Sequence, residues 1–306
     1  MTPDAGQADP QDPQEPEEEL PPDALPDGGG PISVRAAREA RMTPSEAVRD
    51  MRITLPARGN RTLRELVDRC NRDVSLKALW HAANVNAVTR LQINDHSWVH
   101  IQIVTNIGLK LLRELRRTGV ESGMVTDYGM RREDGEVVVV LGCLMHCLGM
   151  AVHRNGHEEM SLFLAADRLP RLLEGVYDEP ERTIVLAEVL QTIISHRSDG
   201  KPLSVEAGIV RVADALDMAK GRSRIPFQAG RVSIHSLSAA AIEEVRITHG
   251  DGRVAIDIEM NNSSGLYQVD NLLRSKLRDS GLEAHIEVRA TIEGETEKRL
   301  LPSFHL

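Results

Sequence analysis

Two apolar runs in this chain are each interrupted by an ionisable side chain, and that restricts the possible folds more than any other feature. VVVVLGCLMHCLGM, Val137 to Met150, carries His146, and IVRVADALDM, Ile209 to Met218, carries Asp214. Segments this apolar belong in a core, where an isolated carboxylate costs several kcal/mol unless it is paired or coordinates a metal. Polar groups far apart in sequence must therefore meet in the interior. Six of the eleven histidines lie between His96 and His196 and supply the partners.

Charge is unevenly spread. The chain has 46 acidic and 37 basic residues, and Met1 to Gly30 holds nine acids, no base and seven of the fifteen prolines. The rest is formally neutral, which excludes a nucleic-acid binder driven by bulk positive charge. Residues 1–32 have too little apolar surface to offset the entropy of ordering and read as a disordered leader. Three cysteines (Cys70, Cys143, Cys147) make no disulfide framework and fit a reducing compartment. No basic-then-apolar signal pattern opens the chain, and the run Val137 to Met145 is about half the length of a membrane span. The expectation is a soluble, cytoplasmic protein with no membrane partner.

Helical periodicity fills the next two hundred or so residues. Leu63, Leu66, Val67 and Cys70 share a face, with Thr62 as N-cap and Glu65 completing a capping box. VHIQIVTNIGLKLLRELRRTG reads as a helix ending at Gly119. The four valines 137–140 favour a strand, whereas Leu141, Leu144, Met145 and Leu148 continue as a buried helix. Further helices are predicted at 158–175, 180–196 and 204–219. Arg131-Arg132, before Glu133-Asp134-Gly135, reads as an exposed turn. After Pro226 the segments RVSIHSLS, VRITHG and RVAIDIEM alternate with period two, and Asp251-Gly252 separates the last two as a hairpin turn. A helix through SSGLYQVDNLLRSKLRDSG and a strand through HIEVRATIEG follow. The fold class is mainly α: a helical domain, 33–226, then a small α+β domain, 227–306, with an antiparallel sheet.

His96 and His100 stand four apart, a spacing that suits zinc, but Ser97 occupies the place of the glutamate in HExxH. His146 ends an apolar helix and is followed by Cys147. His153 and His157 flank a turn-like Arg154-Asn155-Gly156, and His196 ends another apolar helix. The order His100, His146-Cys147, His157, His196, Asp214 resembles the HD superfamily of metal-dependent phosphohydrolases. HIQIV resembles the first-motif helix, LMHCLGM the doublet segment and VRVADALDM the terminal segment, together covering about 96–220. His157 and His196 are similar to those of the two-metal branch, which includes dinucleoside polyphosphate hydrolases.

The resemblance implies that His100, His146 and Asp214 hold one divalent metal and His157 and His196 a second. Where the family has a bridging aspartate, this chain has Cys147. A carboxylate bridge suits Fe, Mn or Mg, a thiolate favours zinc, and a neutral thiol in an apolar helix need not coordinate. The implied activity is hydrolysis of a phosphate ester or nucleotide by metal-activated water, with one or two ions of Zn, Mn or Fe. Asp217, Lys220, Arg222 and Arg224, with Arg197, read either as a phosphate-binding lip or as a solvated linker. The α+β domain would serve dimerisation, giving a homodimer, or ligand sensing. Two rivals stand beside the hydrolase: a catalytically weakened HD protein acting as a sensor or scaffold, and a structural zinc protein using Cys143 or Cys147.

Overall fold

The structure is a computed structural model that describes residues 42–197, 199–218 and 234–292. The leader and the expected domain junction at 226/227 lie outside the described residues. Among the described residues the helical part runs α1 (Pro44–Arg49), α2 (Arg61–Arg72), α3 (Val74–Asn84) continued by a π-helical stretch (Val85–Arg90), α4 (Trp98–Arg117), α5 (Gly123–Thr126), α6 (Arg132–Met145), a 3-10 turn (Leu148–Ala151), α7 (His157–Leu173), α8 (Glu181–Ser195) and α9 (Val205–Leu216). The predicted helices after residue 157 match α7 to α9 to within a few residues.

α6 is the central helix. It packs against α2, α4, α8 and α9, and every residue from Asp134 to Met145 is buried. Its four valines form helix because this segment is enclosed on all sides, and packing outweighs their preference for strand. The span Arg132–Ala151 is long and apolar enough to cross a membrane, which corrects the expected half-length run, but 94% of it is buried within this fold. Close packing rests on two glycines. A Cβ at Gly142 would overlap the Thr192 hydroxyl on α8, and one at Gly108 on α4 would lie 2.9 Å from Cys143 Sγ.

Two helix starts differ from expectation. α2 is capped by Asn60, not Thr62: Leu63 N–H donates to Asn60 Oδ1 at 2.8 Å, while Asn60 Nδ2 donates to Glu133 O and Glu136 Oε2. Asn60 thus ties the start of α2 to the start of α6, an advantage that Thr62 lacks. Arg131 is the N-cap residue of α6, and Glu133-Asp134-Gly135 form its first turn instead of an exposed turn. Asp134 is buried there, accepting from Arg131 N–H and the Tyr177 hydroxyl. α4 ends as predicted, with Gly119 at φ 91°.

The remaining elements are α10 (Ile234–Ala241), β1 (Ile242–His249), β2 (Val254–Met260), a helical stretch from Gln268 that ends in α11 (Arg274–Leu277), and β3 (Ile286–Ile292). β1 and β2 pair antiparallel through the expected turn, with Gly252 at φ 72°. β3 pairs parallel to β2, so the sheet is mixed where a wholly antiparallel one was expected. The helical stretch between them is the crossover that a parallel pair needs. Residues 234–238 of the period-two segment RVSIHSLS are helical, because they run into Ala239-Ala240-Ala241 and good helix formers extend the turn backwards. Ile247, Val254, Ile256 and Ile258 share one core with Val104, Leu111, Val139 and Val210 of α4, α6 and α9.

Candidate metal centre

The ends of three helices converge beside α4 and α9. His146 caps the C-terminus of α6 and leads into Cys147, His196 caps the C-terminus of α8, and His157 is the first residue of α7. His100 stands in the first turn of α4 and Asp214 in the last turn of α9. His100, His146, Cys147, His157 and His196 are all buried, and the Asp214 side chain is 18% exposed.

The histidines are oriented by one repeated device. His146 Nδ1 donates to Cys143 O at 2.8 Å, His157 Nδ1 to Arg154 O at 3.0 Å and His196 Nδ1 to Ile193 O at 2.5 Å, in each case a carbonyl three residues back. A carbonyl only accepts, so each Nδ1 carries a proton, and in the neutral ring Nε2 is the nitrogen left with a lone pair for a metal. His100 Nδ1 lies 2.6 Å from Asp217 Oδ2. Such partners fix the tautomer and ring angle of a metal-binding histidine.

The ligand atoms form two groups that share Cys147. His100, His146 and Cys147 make one group and Cys147, His157 and His196 the other, and within each group the atoms lie within 4.8 Å of one another. His100 Nε2 and His146 Nε2 are 3.3 Å apart, and Asp214 Oδ1 is 3.6 Å from each. Cys147 Sγ lies 3.9 Å from His100 Nε2. The rings run in sequence, with centroids 5.3 Å apart for His100–His146, 5.0 Å for His146–His196 and 5.6 Å for His196–His157.

Electrostatics follow from this crowding. Burial opposes charge on Cys147, but the His146 imidazolium and hydrogen bonds from His100, His146 and His157 outweigh it and hold the thiol well below its usual value. The thiolate is the form that ligates metal. Burial likewise opposes protonation of His146, yet Cys147 and Asp214 push it up to about 10. His157 rises to about 9 against its own burial, through Cys147 and Glu158. His196 is pushed down to about 3 by burial and by repulsion from His146 and His157.

All six residues expected as ligands are thus brought together. Of the residues expected on the phosphate lip, the two described ones are engaged elsewhere. Asp217 is buried behind His100, and Arg197 pairs with Asp199 and Glu159 near the surface. Lys220, Arg222 and Arg224 lie outside the described residues. His153 is exposed and accepts from Asn155 N–H at 3.1 Å. His96 precedes α4 instead of lying on it, and its ring centroid is 5.5 Å from that of His100.

Ser161 gave no signal in the sequence, since serines are common on helices. It accepts from Gly149 N–H at 2.8 Å, and its hydroxyl reaches His146 O and His157 O. It straps the segment after Cys147 to α7, and a Cβ at Gly149 would overlap the His157 carbonyl there.

No family model matches the chain, and no solved structure matches it. The "Uncharacterized protein MJ1020" of Methanocaldococcus jannaschii is 39% identical over 214 residues, which is 70% of this chain and 83% of that protein. The chain belongs to the same protein family as that archaeal protein.

Proposed function

We propose that this protein is a metal-dependent phosphohydrolase of the HD type, acting on a phosphate ester or nucleotide. The observation that carries this reading is the convergence of four imidazoles on Cys147, each with Nδ1 tied back to an acceptor. The donor set fits a divalent metal. His100, His146, Cys147 and Asp214 would hold one ion, and Cys147, His157 and His196 a second. An ion held there supplies Lewis acidity and an activated water next to phosphoryl oxygens. The chain's own residues keep the imidazoles aimed, hold the thiol as thiolate and exclude bulk water from the ligands. Asp214, more open than the rest, marks the side from which substrate would approach.

The position of Cys147 also supports a second reading, a weakened HD protein that senses or scaffolds. A soft thiolate shared by both groups favours zinc and tempers the nucleophile that a carboxylate bridge would sustain. Metal analysis of purified protein, followed by a phosphatase and nucleotide screen, separates the two. The hydrolase reading expects bound metal and turnover in the wild type, both lost in His146→Ala and both retained in His249→Ala. Metal bound with nucleotide affinity but no turnover would favour the sensor. Equal metal content in the two variants would sink both.

A further inference from the structure

A second charged cavity lies away from the histidines. It has a volume of about 390 Å³ and is lined by Arg69 and Arg72 of α2, Arg168 and Arg171 of α7, and Asp73 and Ser75 at the start of α3. Four arginines line this one pocket, which is open to solvent. Three carboxylates lie near them, and each is already engaged. Asp73 accepts from Leu76 N–H and Ser75 Oγ, Glu65 from Arg69, and Asp167 from Arg171. A net positive charge remains.

The arginines also come from two elements held in fixed relation. Arg69 Nη1 donates to Leu172 O at 2.9 Å and Glu174 O at 2.6 Å, which ties α2 to the end of α7. Arg168 is the least exposed of the four: its side chain is 12% exposed, Nη1 donates to Leu164 O and lies 3.4 Å from Asp167 Oδ2, and Nε is buried with no hydrogen-bond partner. A buried donor left unsatisfied is costly, and an oxyanion entering the cavity would relieve it. Arg171, by contrast, is 68% exposed and held only by a surface pair with Asp167 at 2.7 Å, which a ligand would compete for.

We propose that this cavity is a separate binding site for a small phosphorylated molecule, gripped by guanidinium forks from Arg69, Arg72, Arg168 and Arg171. Planar guanidinium pairs match phosphate oxygens two at a time, and the volume exceeds what a lone phosphate fills. α7 links the cavity to the metal centre. Eleven residues separate His157 from Arg168, so the two lie roughly 16 Å apart along the helix, too far for one phosphoryl group to touch both. This site stands whether or not the metal centre is hydrolytic.

Calorimetric titration of the full-length protein with pyrophosphate tests it. Saturable binding is expected in the wild type and in His146→Ala, and at least about tenfold weaker binding in the double variant Arg72→Ala/Arg171→Ala. Both side chains are exposed, so the double variant should melt with the wild type. If it does not, Arg72→Lys/Arg171→Lys keeps the charge and is still expected to bind more weakly, because the forks are lost. Binding that vanishes in His146→Ala but survives in both arginine variants would overturn the assignment. So would the absence of any binding, equal binding of sulfate, or binding of a single-stranded oligonucleotide without pyrophosphate.

Discussion

Cys147 is the residue on which the chemistry of this protein turns, because it belongs to both ligand groups. Replacing it by aspartate keeps an anion of similar size at the shared position but exchanges a soft ligand for a hard one. Cys147→Asp is therefore expected to lower zinc affinity relative to manganese and to raise manganese-dependent hydrolysis. Metal competition on the two proteins and their turnover with each ion would measure this. Robust wild-type turnover that Cys147→Asp abolishes without unfolding would show the thiolate to be the working ligand. Behind it, Asp217 Oδ2 lies 2.6 Å from His100 Nδ1 and positions that ring. Asp217→Asn leaves the imidazole in place but removes its charged partner, and about 10- to 100-fold weaker metal binding is expected with little change in melting temperature. The convergence of the six candidate residues was legible in the sequence because ionisable side chains stood out within apolar runs. Asp217 was visible but misplaced on the lip, since sequence does not say which face of a helix end turns inward. Ser161 and the three carbonyl contacts behind the histidines were not legible, because they depend on tertiary placement and common residue types.

Among the elements, α6 carries the fold and its C-terminus carries the centre. An ion pair adds to its apolar packing on α4: Arg113 Nε and Nη2 donate to Glu136 at 2.8 and 3.1 Å, and Asn60, from the start of α2, donates a third bond to the same carboxylate. Burial raises the Glu136 carboxyl, but Arg113, Asn60 and Arg116 outweigh that and hold it below its usual range. A carboxyl lowered in the folded state contributes stability that is present above its unfolded value near 4.3 and lost as pH falls through the lower folded value. Glu136→Gln is expected to cost about 2–4 kcal/mol at neutral pH and to flatten the fall in stability below about pH 4.5. Urea unfolding of both proteins across that range is the measurement; parallel pH curves would remove Glu136 from the account. Gly149→Ala should act on the 3-10 turn in the same region, since its Cβ would strike the backbone of His157. Loss of both stability and bound metal is expected. Helix existence was legible for α2, α4 and α7 to α9, because periodicity is local; the valine half of α6 stood open between strand and helix, and the short α5 gave no signal. The parallel pairing of β3 and the helical state of Ile234–Ala241 were not, since the first is a matter of topology and the second of which local preference prevails.

For the molecule as a whole, the metal centre and the stability of the fold are expected to be linked through protons. Five buried side chains of the candidate centre, drawn from α4, α7, the ends of α6 and α8 and the turn after α6, hold these elements together only if their charges are balanced. In the metal-free protein the balance is struck by protons on His146 and His157, whose values are raised to about 10 and about 9. Raised imidazoles contribute stability that is complete below their unfolded value near 6.5 and is lost as pH rises through 9 to 10. A bound cation takes over that role and must displace those protons, whereas the Cys147 thiol, already held low, has none to give. Loading at pH 7.5 is therefore expected to release about two protons per centre, and metal affinity should rise with pH between 6 and 8. Zinc at a hundredfold excess over its dissociation constant should add about 2.7 kcal/mol to stability, and a chelator should remove it. Calorimetry in buffers of different ionisation enthalpy counts the protons, and melting curves with and without chelator read the stability. Uptake without proton release would mean that the imidazoles are already neutral in the free protein, and that Cys147 is a buried thiol and not the anion around which they gather.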